Sequence, residues 1–139
     1  MFSLVYLSTA SFLFSNAQLL ELLEASRANN ESLGVTGMLL YKDGRFMQVL
    51  EGEEEVVKPL MSKIMNDARH RQVVILLMGP VVRREFPDWA MGFANLHSPD
   101  ALATPGYSAF LETPLSRDQF AARPAAAKEL LLLFKQSRL

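Results

Sequence analysis

The hydrophobic and polar positions of this chain form short strand-like runs, separated by two longer stretches with helical spacing. Residues 2–8 alternate between the two types and are rich in residues that favour strands, and two further apolar runs, 35–41 and 46–50, flank the pair Asp43-Gly44. Both residues of an Asp-Gly pair adopt positive φ at low cost, so the pair is a strong hairpin signal. The pattern predicts a first strand over 2–8 and an antiparallel hairpin over 35–50.

The first stretch with helical spacing begins at Ser15, and Gln18 follows three residues later, which is the sequence of a capping box. The helix is predicted to run to about Asn30 and to stop before Gly34. Asparagine disfavours helix interiors, and a position at the helix end explains one of Asn29 and Asn30 better than both.

A second helix is predicted to begin at Glu53–Glu55, because the helix macrodipole favours acids at its amino end. Arg69 and His70 lie within residues 66–71, which would end this helix with cations where the dipole favours them. Pro59 is harmless only near the first turn, and further along it would remove a hydrogen bond and kink the helix.

The continuous apolar run over 72–78 predicts a buried central strand, which 81–82 would resume after a bulge at 79–80. Residues 86–93 predict the last strand, and a helix is predicted from Pro124 to about residue 137. The order βαββαββ predicts an α+β, ferredoxin-like sandwich with both helices on one face of the sheet. The C-terminal helices would pack on the opposite face.

Composition narrows the functional classes. The 139 residues are 50% hydrophobic and 21% charged, with a net charge of −1 and no cysteine, which suits one globular domain. Disulfides, thiolate chemistry and cysteine zinc sites are excluded, and phosphate-driven nucleic-acid binding is not indicated. No basic residue precedes Arg27 and no 18-residue apolar span occurs, so we expect a cytoplasmic protein that does not interact with membranes.

Two polar side chains occupy strand faces that are otherwise apolar. Gln48 shares a face with Phe46 and Leu50, and Tyr6 lies on the first strand. A glutamine buried without partners would cost about 1–3 kcal/mol, so either this face is open to water or a polar group meets Gln48. Hydrolytic chemistry is not indicated, because the sequence shows no serine with a plausible histidine partner and no glycine-rich phosphate loop.

Five separated motifs resemble those of BLUF domains, the blue-light sensors that use flavin. They are Leu4–Tyr6, Asn29–Gly37, Phe46–Gly52, Asp67–Arg71 and Phe86–Met91, in the family's order. The resemblance covers residues 2–96 and implies a sensor domain there, with a C-terminal helical extension over 97–139.

The resemblance implies that an oxidised flavin, usually FAD but also FMN or riboflavin, lies between the two helices. It implies that Tyr6 is the electron donor, that Gln48 is the switch amide, and that Trp89 and Met91 carry the signal. The cofactor-binding residues that it implies are Tyr6, Ser26, Asn29, Asn30, Gln48, Ile64, Arg69, His70 and Met91.

Three functions follow as alternatives. The first is a photoreceptor without enzyme activity, which would signal as a homo-oligomer through its C-terminal helix to a separate effector protein. The second is a flavin oxidoreductase, which is less favoured because no nicotinamide fingerprint or catalytic acid pair accompanies the flavin motifs. The third is a ferredoxin-like interaction module that has lost its chromophore.

Overall fold

The computed structural model describes residues 1–87 and 91–95 (the last four by their backbone), together with 131, 133, 134 and 136. It shows an α+β fold in the order βαββαββ, as predicted. The elements are β1 (Phe2–Ala10), α1 (Asn16–Leu33), β2 (Thr36–Lys42), β3 (Arg45–Gly52), α2 (Glu54–Met65), β4 (His70–Pro80) and β5 (Gly92–Asn95).

The five strands form one sheet in the order β4-β1-β3-β2-β5. Neighbouring strands are antiparallel, except that β5 runs parallel to β2. The first four strands and two helices therefore have the ferredoxin-like βαββαβ arrangement. The predicted C-terminal helices fall largely outside the described residues, although Leu131 and Phe134 are buried in an apolar cluster on one face of the sheet.

The hairpin turn and the helix cap that local sequence signals predicted are present in the structure. Asp43 and Gly44 have φ values of 55° and 73°, so the hairpin prediction is confirmed. Ser15 and Gln18 form the reciprocal capping box of α1. The helix continues past Asn30 to Leu33, because Gly34 takes the left-handed conformation that caps it.

The end of the second helix was predicted wrongly. Helix α2 ends at Met65, and His70 is already the first residue of β4. Between them Asp67 accepts a hydrogen bond from the backbone N–H of Arg69 at 2.9 Å, which is a turn and not a helical contact. Pro59 lies inside α2, and the helix continues beyond it.

Strand β4 also differs from the prediction, because it lies at the edge of the sheet. Val74 and Met78 are therefore 52% and 46% exposed, although an unbroken apolar run suggested burial on both faces. The strand extends through Pro80, and its irregularities occur where it pairs with β1, one of them around Gln72 at φ 52°. The last strand was predicted over 86–93, but β5 begins only at Gly92 and ends at Asn95.

The sheet separates two apolar clusters, and β3 contributes to both. Phe46 and Leu50 belong to the cluster beneath the helices, whereas Met47 and Val49 belong to the cluster on the far face. The alternation read from the sequence is thereby confirmed. Gln48 shares the face of Phe46 and Leu50, so it points towards the helical side.

Candidate functional site

A cleft of about 260 Å³ lies between α1, α2 and the sheet. It is lined by Tyr6, Leu22, Ala25, Ser26, Asn29, Asn30, Leu39, Gln48, Leu50, Leu60, Lys63, Ile64, Asp67, Arg69 and His70. All the cofactor-binding residues that the resemblance implied line this cleft except Met91, which lies behind Gln48. Trp89 lies outside the described residues. Individual roles towards a flavin stay predictions.

Tyr6 and Gln48 form the polar centre of the cleft. They are directly opposed in the pairing of β1 with β3, and the Tyr6 hydroxyl donates to Gln48 Oε1. Both side chains are buried, at 1% and 5% exposure, so this face is not open to water. Burial, with a smaller contribution from the charge of Asp67, raises the pKa of the Tyr6 phenol well above its ordinary value. The phenol is therefore neutral at physiological pH.

Gln48 has a partner at each end of its amide. Its Nε2 donates to Met91 Sδ at 3.4 Å, while Oε1 accepts from Tyr6. A thioether sulfur is only a weak acceptor, so the bond to Met91 is the weaker of the two. The result is a chain of hydrogen bonds from the cleft wall to the residue immediately before β5.

His70 is held beside this chain as a neutral ring. Its Nδ1 lies 2.9 Å from Ser8 Oγ, and its ring meets that of Tyr6 edge-on at 6.1 Å. Burial lowers the pKa of His70, although the nearby Asp67 carboxylate acts in the opposite direction. A neutral imidazole adds no further charge to those of Asp67 and Arg69, which both act on the Tyr6 phenol.

Charged side chains collect where the cleft meets helix α2. The Arg69 guanidinium bonds the Asp67 carboxylate through Nε at 3.0 and 3.1 Å and holds the pKa of Asp67 at about 2. Lys63 also lines this part of the cleft. Lys63 and Asp67 were not predicted as lining residues. The spacing of Lys63 from Leu60 and Ile64 could have indicated its place, because all three lie on neighbouring parts of one helical surface.

A position in the last turn of α1 accounts for the backbone of Asn30 but not for its buried side chain. It is 3% exposed and lies three residues before the last residue of α1, while its backbone carbonyl accepts the N–H of Val35 at 2.9 Å. Its amide lines the cleft beside Asn29. Amide groups supply both donors and acceptors, which suits the uracil-like edge of a flavin ring.

The remaining lining fits the rest of such a ligand. Leu22, Leu39, Leu50, Leu60 and Ile64 provide apolar walls for a flat aromatic ring. Lys63 and Arg69 add cations to this lining, and Arg69 is paired there with Asp67. Among the described residues no group of three potential metal ligands occurs, and no helix is long and apolar enough to cross a membrane.

A model of the BLUF family, described as sensors of blue-light using FAD, matches residues 1–92. The chain belongs to the BLUF family. It is a blue-light sensor that binds flavin, and the Tyr6–Gln48 hydrogen bond at its centre agrees with that function.

Known proteins of different lengths share this domain. The beta subunit of a photoactivated adenylate cyclase from Euglena longa is 36% identical over 94 residues, which are 67% of this chain and 11% of the cyclase. Klebsiella pneumoniae BlrP1 with FMN and cyclic diGMP is 28% identical with a TM-score of 0.75, over 97% of this chain and 34% of that one. The BLUF protein BlrB in its dark state is 27% identical with a TM-score of 0.68, over 98% of this chain and 96% of BlrB. This chain therefore spans about a tenth of the cyclase but almost all of BlrB.

Proposed function

We propose that this chain signals by a light-driven change in the hydrogen bonds of Gln48, which passes through Met91 to a separate effector protein. The observation that carries the proposal is the buried chain from Tyr6 through Gln48 to Met91. When bound, the oxidised flavin supplies blue-light absorption and an electron acceptor next to this chain.

Tyr6 is suited to donate an electron and a proton together. Loss of an electron makes a phenol strongly acidic, so its proton must move as the electron leaves. The Tyr6 hydroxyl already donates its hydrogen bond to Gln48 Oε1, so the proton has an acceptor within the buried pair. Electron and proton return to Tyr6 afterwards, so the covalent chain is unchanged and only hydrogen bonds differ.

Gln48 is suited to convert this step into a rearrangement. A glutamine amide has an acceptor end and a donor end, and here they face chemically different partners. If the amide turned over, Nε2 would face the Tyr6 oxygen and Oε1 would face Met91 Sδ, which has no proton to give. The contact to Met91 would then be lost, and β5 begins at the next residue.

The output would reach another protein, with the chain acting as a homo-oligomer and without enzyme activity of its own. The matched region covers only the sensor part of the cyclases, whereas BlrB has nearly the same length as this chain. The four consecutive leucines at 130–133 support a surface for such a partner, because they cannot all lie on one narrow helical stripe. The cytoplasmic location stays a prediction.

The test is an absorption spectrum of the purified yellow protein before and after blue light. We expect a red shift that reverses in the dark without net flavin reduction, and we expect Tyr6→Phe to bind flavin but to lose this shift. Tyr41→Phe is the matched control, because Tyr41 is also buried and its hydroxyl accepts a hydrogen bond from the backbone N–H of Phe14, away from Gln48.

Three results would contradict the proposal. A normal reversible shift in Tyr6→Phe would remove Tyr6 from the mechanism. Net reduction of the flavin in light would favour the oxidoreductase. A colourless protein that cannot be loaded with flavin would favour the interaction module.

A further inference from the structure

Met91 is held from two sides, by its side chain and by its backbone. Gln48 Nε2 donates to the sulfur at 3.4 Å, and Arg27 Nε donates to the backbone carbonyl at 2.8 Å. A hydrogen bond from a guanidinium is about twice as strong as one between neutral groups, and the sulfur is a weak acceptor. The backbone of Met91 is thus the firmly held part and its side chain the exchangeable part.

The space for this arrangement is narrow. A Cβ on Gly37 would lie 1.8 Å from the carbonyl oxygen of Val49 and 3.4 Å from Met91 Cε. Only glycine at position 37 therefore allows β2 to pass between Val49 and Met91. Met91 itself is 1% exposed, so its sulfur has little freedom as long as its backbone stays in place.

Arg27 lies on the turn of α1 that also lines the cleft. Ser26 precedes it, and Asn29 and Asn30 follow within the next three residues. The position of Met91 therefore depends on the same part of the helix that lines the cleft, and not only on the sheet.

We propose that Arg27 is a positioning residue, which holds the Met91 backbone so that Sδ stays within reach of Gln48 Nε2 and favours the dark orientation of the Gln48 amide. The sulfur distinguishes the two orientations because it can accept a hydrogen bond but has no hydrogen to donate. The sulfur can favour one orientation only while Arg27 keeps the Met91 backbone in position. The inference rests on the proposed function in one respect, namely that the amide changes its orientation in light.

The first test measures thermal return to the dark state in flavin-loaded protein after a blue-light pulse. We expect Arg27→Ala to slow the return by about three- to ten-fold, the factor that corresponds to the net contribution of one hydrogen bond. Arg27→Lys keeps a cationic donor and should recover most of the rate. Arg83→Ala, which removes an exposed arginine from the chain segment that leads to Met91, is the matched control and should return at the wild-type rate.

A double-mutant cycle separates this role from general support of the fold. Met91→Leu removes the sulfur acceptor, so Arg27→Ala should change the rate by less than about two-fold in that background. An equal slowing with and without the sulfur would overturn the proposal, as would a wild-type rate in Arg27→Ala. If Arg27→Ala does not bind flavin, Arg27→Gln takes its place, and a wild-type rate in that variant has the same meaning.

A second readout needs no light and keeps the inference separate from the proposed function. In protein with ¹³C-methyl-labelled methionine, the Met91 signal is assigned by its loss in Met91→Leu. We expect the chemical shift of this signal to change in Arg27→Ala protein kept in the dark and to stay unchanged in Arg83→Ala. An unmoved signal would overturn the positioning role even if the photoreaction itself proved absent.

Discussion

The segment that links β4 to β5 is attached to β3 in two places, and the two attachments differ in kind. At one end the Glu51 carboxylate accepts the backbone N–H groups of Glu85 at 2.6 Å and Phe86 at 2.8 Å. At the other end Gln48 donates to the Met91 sulfur at 3.4 Å. Hydrogen bonds to an ionised acceptor are roughly twice as strong as neutral ones. The first attachment is an anchor, whereas the second can be exchanged at low energetic cost.

The anchored end is reinforced on the side away from the cleft. Arg84 donates to Thr36 Oγ1 at 2.8 Å and to the backbone carbonyls of Glu51 and Gly34 at 3.0 and 2.6 Å. Phe86 is buried in the far-face cluster, which also contains Leu131 and Phe134. A change at Gln48 would therefore shift the side chain of Met91 relative to this anchored end, which shares its apolar cluster with Leu131 and Phe134. Under the proposed function, a rearrangement in the cleft would act on the exchangeable end and leave the anchored end in place.

The largest expected effect comes from removing the anchor. Glu51 is fully buried, and Glu51→Ala would leave two backbone N–H groups without their acceptor. We expect the free energy of unfolding to fall by about 2–4 kcal/mol, since each unsatisfied buried donor costs about 1–3 kcal/mol. Urea denaturation of flavin-loaded protein measures this loss. A loss no larger than that of an exposed control, Glu55→Ala, would show that the anchor is weak.

The pH dependence of stability, compared between the wild type and Glu51→Gln, gives a second test of the Glu51 anchor. Burial raises the pKa of Glu51 above its ordinary value of 4.5, while the N–H groups of Glu85 and Phe86 oppose the rise. A carboxyl group whose pKa is higher in the folded state takes up a proton on folding, so it adds stability at low pH that is lost as the pH rises through the folded value. The stability of the wild type relative to Glu51→Gln should therefore increase as the pH falls from 7 towards 4.5. A constant difference would contradict this assignment.

Arg84 should have the next largest effect. Arg84→Ala removes three hydrogen bonds but leaves the Glu51 carboxylate in place, so we expect a loss of about 1–2 kcal/mol. Arg83→Ala, at the neighbouring exposed position, should stay within about 0.5 kcal/mol of the wild type. Equal losses in the two variants would mean that Arg84 does not reinforce the anchor.

How far the sequence predicted these features depends on the range of the interactions. The hairpin at Asp43-Gly44 and the cap at Ser15 are local, and both were predicted. The cations at Arg69 and His70 suit a helix end as well as a turn, so that boundary was predicted wrongly. Whether β4 is central or at an edge is decided by strand order, which an apolar run does not contain.

The same limit applies to the site. Tyr6, Gln48 and Asn30 could be predicted because polar residues on apolar faces stand out and because the family resemblance covered them. Nothing in the sequence singles out Glu51 as an anchor, since its partners are 34 and 35 residues away along the chain. Arg27 bonds a carbonyl 64 residues away, and no sequence pattern indicates that contact.

The smallest effect on stability should come from the exchangeable end, where the effect on signalling should be the clearest. Met91→Leu conserves volume and loses only a weak acceptor, so we expect a change of less than about 1.5 kcal/mol. The variant should bind flavin and keep a red shift, because the Tyr6–Gln48 bond is untouched. Met38→Leu, another buried methionine, serves as the matched control in the far-face cluster.

Hydrogen exchange in dark and light then compares the two ends directly. In the wild type the amides of residues 92–95 should exchange differently in light, whereas those of Glu85 and Phe86 should not, because the Glu51 carboxylate holds them in both states. In Met91→Leu the light-dependent difference at 92–95 should shrink, since Gln48 no longer has a sulfur contact to make or lose. If Glu85 and Phe86 changed as much as β5 in the wild type, the anchored end would not be a fixed point. If the difference at 92–95 were undiminished in Met91→Leu, the signal would leave the cleft by a route other than the Met91 sulfur.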